Sequence, residues 1–360
     1  MPETEANMGN KSGYESIKFT SDGGFIVGGF ANFDETGFPS FKSGGQVDRG
    51  NPIYQKFSKS VADATTMPTP PTPDWTWACG GGANNVATTL AADKQCPSSV
   101  KSSANTMRIF TSGGIEQVVS TFRPYSIVIV NAATGAEMNF GFFETLPSHV
   151  LVDKFQDIEV EFDAAGTTAT AFVVAGLSNI KDSTTLGCSL QSTGYCTAWN
   201  GMAMKVPYDL STTTWRKEFT DFPGGITEYA GTTRFGGAMV YTECWSIAAA
   251  PVNGATTNTY ILACGQGIEN CENTAVDASL ITQCNSPDPR RDWRGVAVAF
   301  TPDGEMDWYR MGNLGLFPGD TSHGSSAFEW VSYGGDPTTL AFFSDETLGF
   351  SFVTMDLTGG

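Results

Sequence analysis

The amino-acid sequence predicts an all-β fold, a β-propeller of four-stranded antiparallel blades, because one kind of two-stranded unit recurs along its 360 residues. At least five blades are predicted, and the irregular spacing of the copies leaves room for six or seven. Composition agrees, since the chain has 41 glycines, 40% hydrophobic residues and no long stretch of helical periodicity. Such sheets bury their apolar faces by stacking around a common axis.

The recurring unit is an inner hairpin, clearest in YESIKFTSDGGFIVGGF at residues 14–30. Alternating apolar residues lie on both sides of an Asp-Gly-Gly turn, which is the pattern of two half-buried antiparallel strands. Similar segments begin at Thr106, Asp157, Ala238 and Ala327, and the copy at Thr106 is the weakest. Five inner hairpins set the lower bound on the number of blades.

An outer hairpin follows most inner hairpins and completes the four strands of a blade. The first is predicted in PIYQKFS and DWTWACG, and later ones begin at Ser126, Gly201, Gly295 and Gly349. Three of the later segments return through a strand that carries an aromatic residue. We predict a single domain over 1–360, with blades at 14–80, 97–145, 150–220, 226–311 and 322–360.

Three segments resemble the repeats of a family of secreted β-propellers. TSDGGFIVGGF, from Thr20, is similar to the strand-turn-strand signature T-x-D-G-G-[FY]-I-V-[AG]-G of that family. VAFTPDGEMDW and FVTMDLTGG are similar to its outer hairpin, although the second segment stops before any Trp. The resemblance implies the fold and an extracellular location. It implies little about activity, since one fold hosts many functions.

Eight cysteines fall into four pairs that are close in sequence, and we predict four disulfides, with reduced buried thiols as the alternative. Three pairs would close inserted loops, and one would link the two strands of a hairpin. No pair has the C-x-x-C spacing or the accompanying histidines of a zinc site. Disulfides indicate an extracellular or cell-surface location. The pairs are Cys79 with Cys96, Cys188 with Cys196, Cys244 with Cys264, and Cys271 with Cys284.

Charge and hydropathy limit the partners. A formal net charge of −18, from 38 acidic and 20 basic side chains, makes binding to a nucleic-acid backbone unfavourable. No stretch approaches the ~20 apolar residues of a membrane-spanning helix. Residues 1–13 lack the apolar core of a signal peptide, so we expect the chain to be a mature or excised part of a longer precursor.

The fifth blade is predicted to be one strand short, because MDLTGG stops where an outer turn would lead into a fourth strand. Residues 1–13 are polar and would make a poor strand. An unpaired sheet edge invites pairing with another chain. We hypothesise that a strand of a neighbouring subunit or of a carboxy-terminal extension pairs near Met355, Asp356 and Leu357. The expected partners are further copies, other extracellular proteins or glycans.

The segment TTMPTPPTP at residues 65–73 is predicted to be a stiff, exposed polyproline II strap, since each Pro fixes φ and lacks a donor. Its Thr and Pro residues are candidate acceptors of O-linked sugars, and an unmodified rigid loop is the equal alternative. The N-glycosylation sequon Asn-Lys-Ser occurs once. The candidate residues are Asn10, Thr65, Thr66, Pro68, Thr69, Pro70, Pro71, Thr72 and Pro73.

Residues for catalysis are sparse. The chain has two histidines, His149 and His323, and no G-x-S-x-G motif, so a Ser-His-Asp triad is not favoured. Near-adjacent carboxylates are common on an acidic surface, and here they do not indicate a glycosidase pair. We predict no catalytic residue, no metal site and no cofactor. The carboxylate pairs considered are Asp345 with Glu346 and Asp288 with Asp292.

Eight tryptophans raise the question of a sugar-stacking surface. Most lie at repeat-equivalent strand positions, where we expect them to fill gaps between blades, and Trp199 is the best candidate for exposure. The sequence therefore favours a non-enzymatic extracellular structural module, a subunit of a cell-surface or hair-like, mastigoneme-type filamentous glycoprotein assembly. The alternative is a secreted carbohydrate-binding or carbohydrate-active propeller that uses its central funnel.

Overall fold

The structure of the protein is a computed structural model that describes most of the strands and many of their turns. The described residues are 13–31, 51–65, 71–79, 96, 106–122, 125–143, 154–179, 199–219, 240–251, 258–268, 293–311, 330–333, 339–344 and 351–356.

Consecutive strands pair into antiparallel sheets, in their order along the chain. The first sheet contains β1 (Gly13–Phe19), β2 (Phe25–Ala31), β3 (Asn51–Phe57) and β4 (Trp75–Ala78), with helix α1 (Lys59–Ala62) after β3. The second contains β5 (Thr106–Ser112), β6 (Ile115–Phe122), β7 (Ser126–Asn131) and β8 (Glu137–Phe142). The third contains β9 (Lys154–Phe162), β10 (Ala169–Asn179), β11 (Trp199–Pro207) and β12 (Trp215–Phe219).

Two further sheets follow. The fourth contains β13 (Val240–Pro251), β14 (Asn258–Ile268), β15 (Trp293–Phe300) and β16 (Met306–Met311). The fifth contains three strands within the described ranges, namely β17 (Trp330–Tyr333), β18 (Thr339–Ser344) and β19 (Ser351–Asp356). The predicted fold class is confirmed: the chain is an all-β protein of the β-propeller class, built from four-stranded antiparallel blades.

Asp22 shapes the turn between β1 and β2, as the TSDGG motif predicts. Its carboxylate accepts hydrogen bonds from the Thr20 hydroxyl at 2.6 Å and from the Gly24 amide at 3.0 Å. Gly23 has a φ of +82°, a conformation that costs a residue without a Cβ little. The buried ammonium of Lys56 on β3 also donates to Asp22. This carboxylate therefore joins the inner hairpin to the third strand.

The chain divides into two compact units, and the first comprises Met1–Val173 and Lys205–Thr214. A buried core lies between its first and second sheets. Within this core Trp77 stacks on Tyr54 of its own sheet, with ring centroids 5.0 Å apart, and on Phe122 of the next sheet at 6.0 Å. The first strands also contact one another in succession, β1 with β5 and β5 with β9. Propeller blades meet in this way near their axis.

The second unit comprises Val174–Met204 and Trp215–Gly360. On β15, residues 296–300 are at most 1% exposed, so both faces of this strand are covered. The first strands of the fourth and fifth sheets, β13 and β17, are in contact. The packing of successive first strands seen in the first unit therefore recurs in the second. The single domain that the sequence predicts over residues 1–360 stays a prediction.

A hydrogen bond from the outermost strand of one sheet reaches the outer turn of the next sheet, and we call this arrangement the outer clasp. In its first instance Trp75, at the start of β4, donates through Nε1 to the carbonyl of Ala132 at 3.2 Å. The Trp75 ring also lies against Gly135, which has a φ of +72° in the β7–β8 turn. Tryptophan thus fills the gap between these blades, as the sequence predicts.

Two more outer clasps repeat the geometry, one with asparagine and one with tryptophan as the donor. Asn139 on β8 donates through Nδ2 to the carbonyl of Asp209, in the β11–β12 turn, at 2.6 Å. In the second unit Trp215 on β12 donates through Nε1 to the carbonyl of Pro302 at 3.0 Å, and its ring lies against Gly304, where φ is +82°. Each outer clasp joins a fourth strand to the turn between the third and fourth strands of the following sheet.

Candidate functional sites

The inner strands of the first unit carry a group of four charged residues, which we call the inner-strand cluster: Lys18 on β1, Arg108 on β5, and Asp157 and Glu159 on β9. Arg108 Nη2 lies 3.0 Å from Asp157 Oδ2, and Arg108 Nε lies 3.9 Å from Glu159 Oε2. Asp157 Oδ1 also accepts the Ile158 amide at 2.8 Å. Packing contacts between the first strands of three consecutive sheets bring these charges together, although up to 141 positions (159 minus 18) separate them in the sequence.

Burial and charge set the protonation behaviour of the inner-strand cluster. Burial is the main cause that lowers the pKa of Lys18, repulsion from Arg108 lowers it further, and Asp157 opposes both effects. Burial likewise raises the pKa of Glu159, against the attraction of Arg108. No hydrogen bond or ion pair joins the Lys18 ammonium to another side chain within the described ranges. The cluster therefore combines a half-buried cation with a paired arginine and two carboxylates.

The sequence did not single out the inner-strand cluster. The available signal was the presence of charged residues inside three successive strands that otherwise alternate apolar residues. A salt bridge from Arg108 to Asp157 could not be recognised without knowing that β5 lies beside β9.

Strand β19 carries the predicted partner edge. It pairs with β18 in a regular register from Thr339 opposite Asp356 to Ser344 opposite Ser351. The described part of the fifth sheet has the order β17-β18-β19. Within the described residues, β19 is hydrogen-bonded to β18. Met355 and Asp356 lie on this strand, whereas Leu357 lies outside the described residues.

Two of the predicted disulfides are present. Cys244 and Cys264 lie directly opposite each other on β13 and β14, with their Cα atoms 4.0 Å apart, so this bridge links the two strands of one hairpin as predicted. Cys79 and Cys96 are also bonded, with a Cα separation of 5.1 Å. The other four cysteines lie outside the described residues and are Cys188, Cys196, Cys271 and Cys284.

Glu137 anchors the loop that the Cys79–Cys96 disulfide closes. Its Oε1 accepts the Cys96 amide at 2.7 Å, and its Oε2 accepts Trp77 Nε1 at 2.8 Å. Burial raises the pKa of Glu137, and these two hydrogen bonds oppose the shift. Glu137 begins β8 of the second sheet, while Cys79 directly follows β4 of the first. The carboxylate therefore joins Trp77 of the first sheet and the disulfide-bonded Cys96 to β8 of the second sheet.

The strap is described in part. Thr65 and Thr72 are exposed, Pro73 is half-buried and Pro71 is buried. The remaining glycosylation candidates lie outside the described residues and are Asn10, Thr66, Pro68, Thr69 and Pro70. Both histidines and the carboxylate pairs considered for catalysis also lie outside them, namely His149, His323, Asp345, Glu346, Asp288 and Asp292.

Two observations concern metal ions and membranes. The described residues contain no group of three His, Cys, Asp or Glu side chains arranged to hold a metal ion. Within the same residues no helix has the length and apolar character needed to cross a membrane.

Trp75 and Trp77 are buried, and Trp215, Trp245 and Trp308 are half-buried. The side chain of Trp199 lies outside the description, so its predicted exposure stays a prediction.

No protein-family model and no curated protein matches the chain. Among solved structures, the chain is similar to the Dos1 propeller, with 8% identity and a TM-score of 0.38 over 95% of this chain and 68% of that chain. It is similar to the C-terminal domain of Pseudomonas aeruginosa PilY1, with 9% identity and a TM-score of 0.41 over 97% and 71%. It is also similar to rhamnogalacturonan lyase YesW, with 10% identity and a TM-score of 0.42 over 97% and 50%. No functional property is carried over at these TM-scores.

Proposed function

We propose that this chain is a structural module of an extracellular assembly and that it joins its partners by strand addition at β19. The observation that carries the proposal is the strand order β17-β18-β19 in the described fifth sheet, where the other sheets have four strands. An open strand edge presents a row of backbone N–H and C=O groups to a partner strand. The disulfides and the exposed threonines of the strap support an extracellular, glycosylated setting. The resemblance to secreted propellers supports the same setting.

The magnitude of backbone pairing limits how such an assembly forms. A six-residue strand presents about six backbone groups on one edge, and each hydrogen bond contributes about 0.5–1.5 kcal/mol net. The resulting ~3–9 kcal/mol is comparable with the ~4–15 kcal/mol lost when two free molecules associate. We therefore propose that the added strand also buries apolar side chains, or that many copies assemble cooperatively into a filament.

Paired proline substitutions test the proposal. Backbone groups along β19 alternate between the β18 side and the open side, so neighbouring N–H groups point in opposite directions. Proline removes one N–H. Of Val353→Pro and Thr354→Pro, one is expected to lower the free energy of unfolding by breaking pairing with β18, and the other to abolish assembly while leaving the fold intact. Sedimentation velocity and negative-stain electron microscopy measure assembly, and urea titration measures stability.

The proposal has a clear negative result. A wild-type chain that stays monomeric over the accessible concentration range, alone and with extracts of the surrounding matrix, would contradict it. Equal loss of stability in both proline variants would show instead that β19 is paired on both sides within its own chain.

A second candidate function is carbohydrate binding at the inner-strand cluster. The observation that favours it is the convergence of two cations and two carboxylates on three neighbouring first strands. Mixed charged groups at one place provide donors and acceptors for the hydroxyls of a sugar. Binding of the purified chain to a glycan array, lost when Arg108 and Asp157 are both replaced, would support this function.

A further inference from the structure

We propose that Lys18 and Arg108 bind the carboxylate of an acidic sugar, with Glu159 accepting a hydroxyl group of the same ligand and the buried Asp157 positioning Arg108. The inference rests on the second candidate function and names its ligand class. Lys18 lies on β1 of the first sheet and Arg108 on β5 of the second, these two strands are in contact, and the charges of the two side chains interact. The two carboxylates stand on β9 of the third sheet.

The surroundings of the Lys18 ammonium favour an anionic ligand. Lysine is rarely buried without a partner, because removing an ammonium from water costs free energy that a counter-charge must offset. Here the side chain is half-buried and repelled by Arg108, and no described residue forms an ion pair or hydrogen bond with its ammonium. An incoming carboxylate would supply the missing acceptor and a charge-assisted hydrogen bond.

The carboxylates explain why the ligand is a sugar acid rather than a simple anion. Asp157 lies 3.0 Å from the Arg108 guanidinium and would repel a bare anion placed beside it. A hydroxyl group next to the ligand's carboxylate can instead donate to Glu159, whose side chain is half-buried. A uronic acid carries a carboxylate and hydroxyl groups on neighbouring carbon atoms. These groups match the neighbouring cations and carboxylates of the inner-strand cluster.

The overall charge does not forbid this ligand. The chain carries a formal net charge of −18, which repels anions at long range. At physiological ionic strength the screening length is about 8 Å, so distant acidic groups contribute little at the cluster. The two cations nearest the ligand therefore decide the local interaction, and binding measurements belong at physiological salt.

Isothermal titration calorimetry with trigalacturonate and its fully methyl-esterified form tests the proposal, because esterification removes the charge and keeps the sugar. We expect the full chain to bind the acid, and Lys18→Gln to weaken this binding about tenfold, the effect of one charge-assisted hydrogen bond. Lys18→Arg is expected to restore most of the affinity. Lys59→Gln is the matched control: it makes the same change in net charge on an exposed residue of α1 and should leave affinity unchanged.

Each outcome decides one part of the proposal. Equal binding of acid and ester, unaffected by Lys18→Gln, would overturn the acidic-sugar assignment and leave carbohydrate binding standing. Binding of inorganic sulfate that depends on Lys18, without binding of either trisaccharide, would overturn the sugar and keep only an anion. Absence of binding to all three probes would overturn the ligand class, and absence of binding to every sugar of the glycan array would overturn the second candidate function.

Discussion

Replacing Gly135 by Ala should destabilise the protein through the first outer clasp. A residue with a side chain pays about 1–2 kcal/mol for the left-handed conformation that Gly135 adopts at φ +72°. A Cβ at this position would lie 2.6 Å from Cδ2 of Trp75, so the indole must move. Its hydrogen bond to Ala132, about 0.5–1.5 kcal/mol, and part of its packing would be lost. We expect a total loss of about 2–4 kcal/mol.

Gly166→Ala provides the matched control. Gly166 has a φ of +69°, but a Cβ there would meet nothing within 4 Å, so only the backbone cost of about 1–2 kcal/mol applies. Urea titration followed by tryptophan fluorescence measures both variants, with unchanged m-values as a check that the same transition is compared. The difference between the two free energies of unfolding isolates the clash with Trp75.

The reasoning would be refuted if the two alanine variants lost the same stability within about 0.5 kcal/mol, the usual limit of additivity. A second test repeats both substitutions in a Trp75→Ala background, where no indole remains to be displaced. There the two glycine substitutions should become equally costly. A persistent excess cost at Gly135 would show that another contact, and not the outer clasp, requires glycine.

Three further predictions concern the loops and turns. Replacing Cys79 and Cys96 together by Ser should remove about 3 kcal/mol of stability, because the bridge closes a loop with a sequence separation of 17; unchanged urea midpoints would contradict this. Asp22→Asn should cost about 1 kcal/mol at pH 7, since Asp22 is largely exposed but holds Lys56. The Asp22 pKa is lowered mainly by Lys56, so its contribution is present above the unfolded pKa and fades as pH falls; wild type and variant should converge in acid melts. Burial raises the pKa of Glu137, so its ionisation removes stability as pH rises, and the deficit of Glu137→Gln should be larger at pH 4 than at pH 7 in paired thermal melts.

The sequence was sufficient to predict the hairpins of the sheets, but not the side-chain contacts that join one sheet to the next. Glycine turns and period-2 alternation are local, so even the weak copy at Thr106 was enough to predict the hairpin of β5 and β6. The pairing of Cys244 with Cys264 followed from the same hairpin logic. The inner-strand cluster depends on contacts between first strands of different sheets, and those contacts leave no periodic trace in the sequence.

The outer clasp explains why the blades can differ in sequence at the donor position. Trp75, Asn139 and Trp215 share only a side-chain N–H donor, and the acceptor in each case is a backbone carbonyl. A backbone acceptor places no demand on the identity of the acceptor residue, and any N–H donor of suitable reach can serve. Sequence comparison between blades therefore detects the glycine turns and the tryptophan donors and misses the asparagine donor. The feature that recurs between blades is this hydrogen bond, from a side chain of the fourth strand to a backbone carbonyl of the next outer turn, rather than one residue type.

The same geometry makes a prediction about the fourth sheet. Trp308 lies four residues after Gly304, as Asn139 lies four residues after Gly135, so it occupies the donor position on β16. Its indole N–H has no hydrogen bond to any described residue, and its natural acceptor would be a turn between β19 and a fourth strand. Trp308→Phe should therefore leave the stability of the isolated chain within 0.5 kcal/mol of wild type, while Trp215→Phe costs about 1 kcal/mol. In sedimentation velocity the Trp308 variant should assemble less readily, because we expect a backbone carbonyl of the strand added at β19 to accept this indole N–H. Normal assembly of the Trp308→Phe variant would show that strand addition at β19 does not require a hydrogen bond from Trp308.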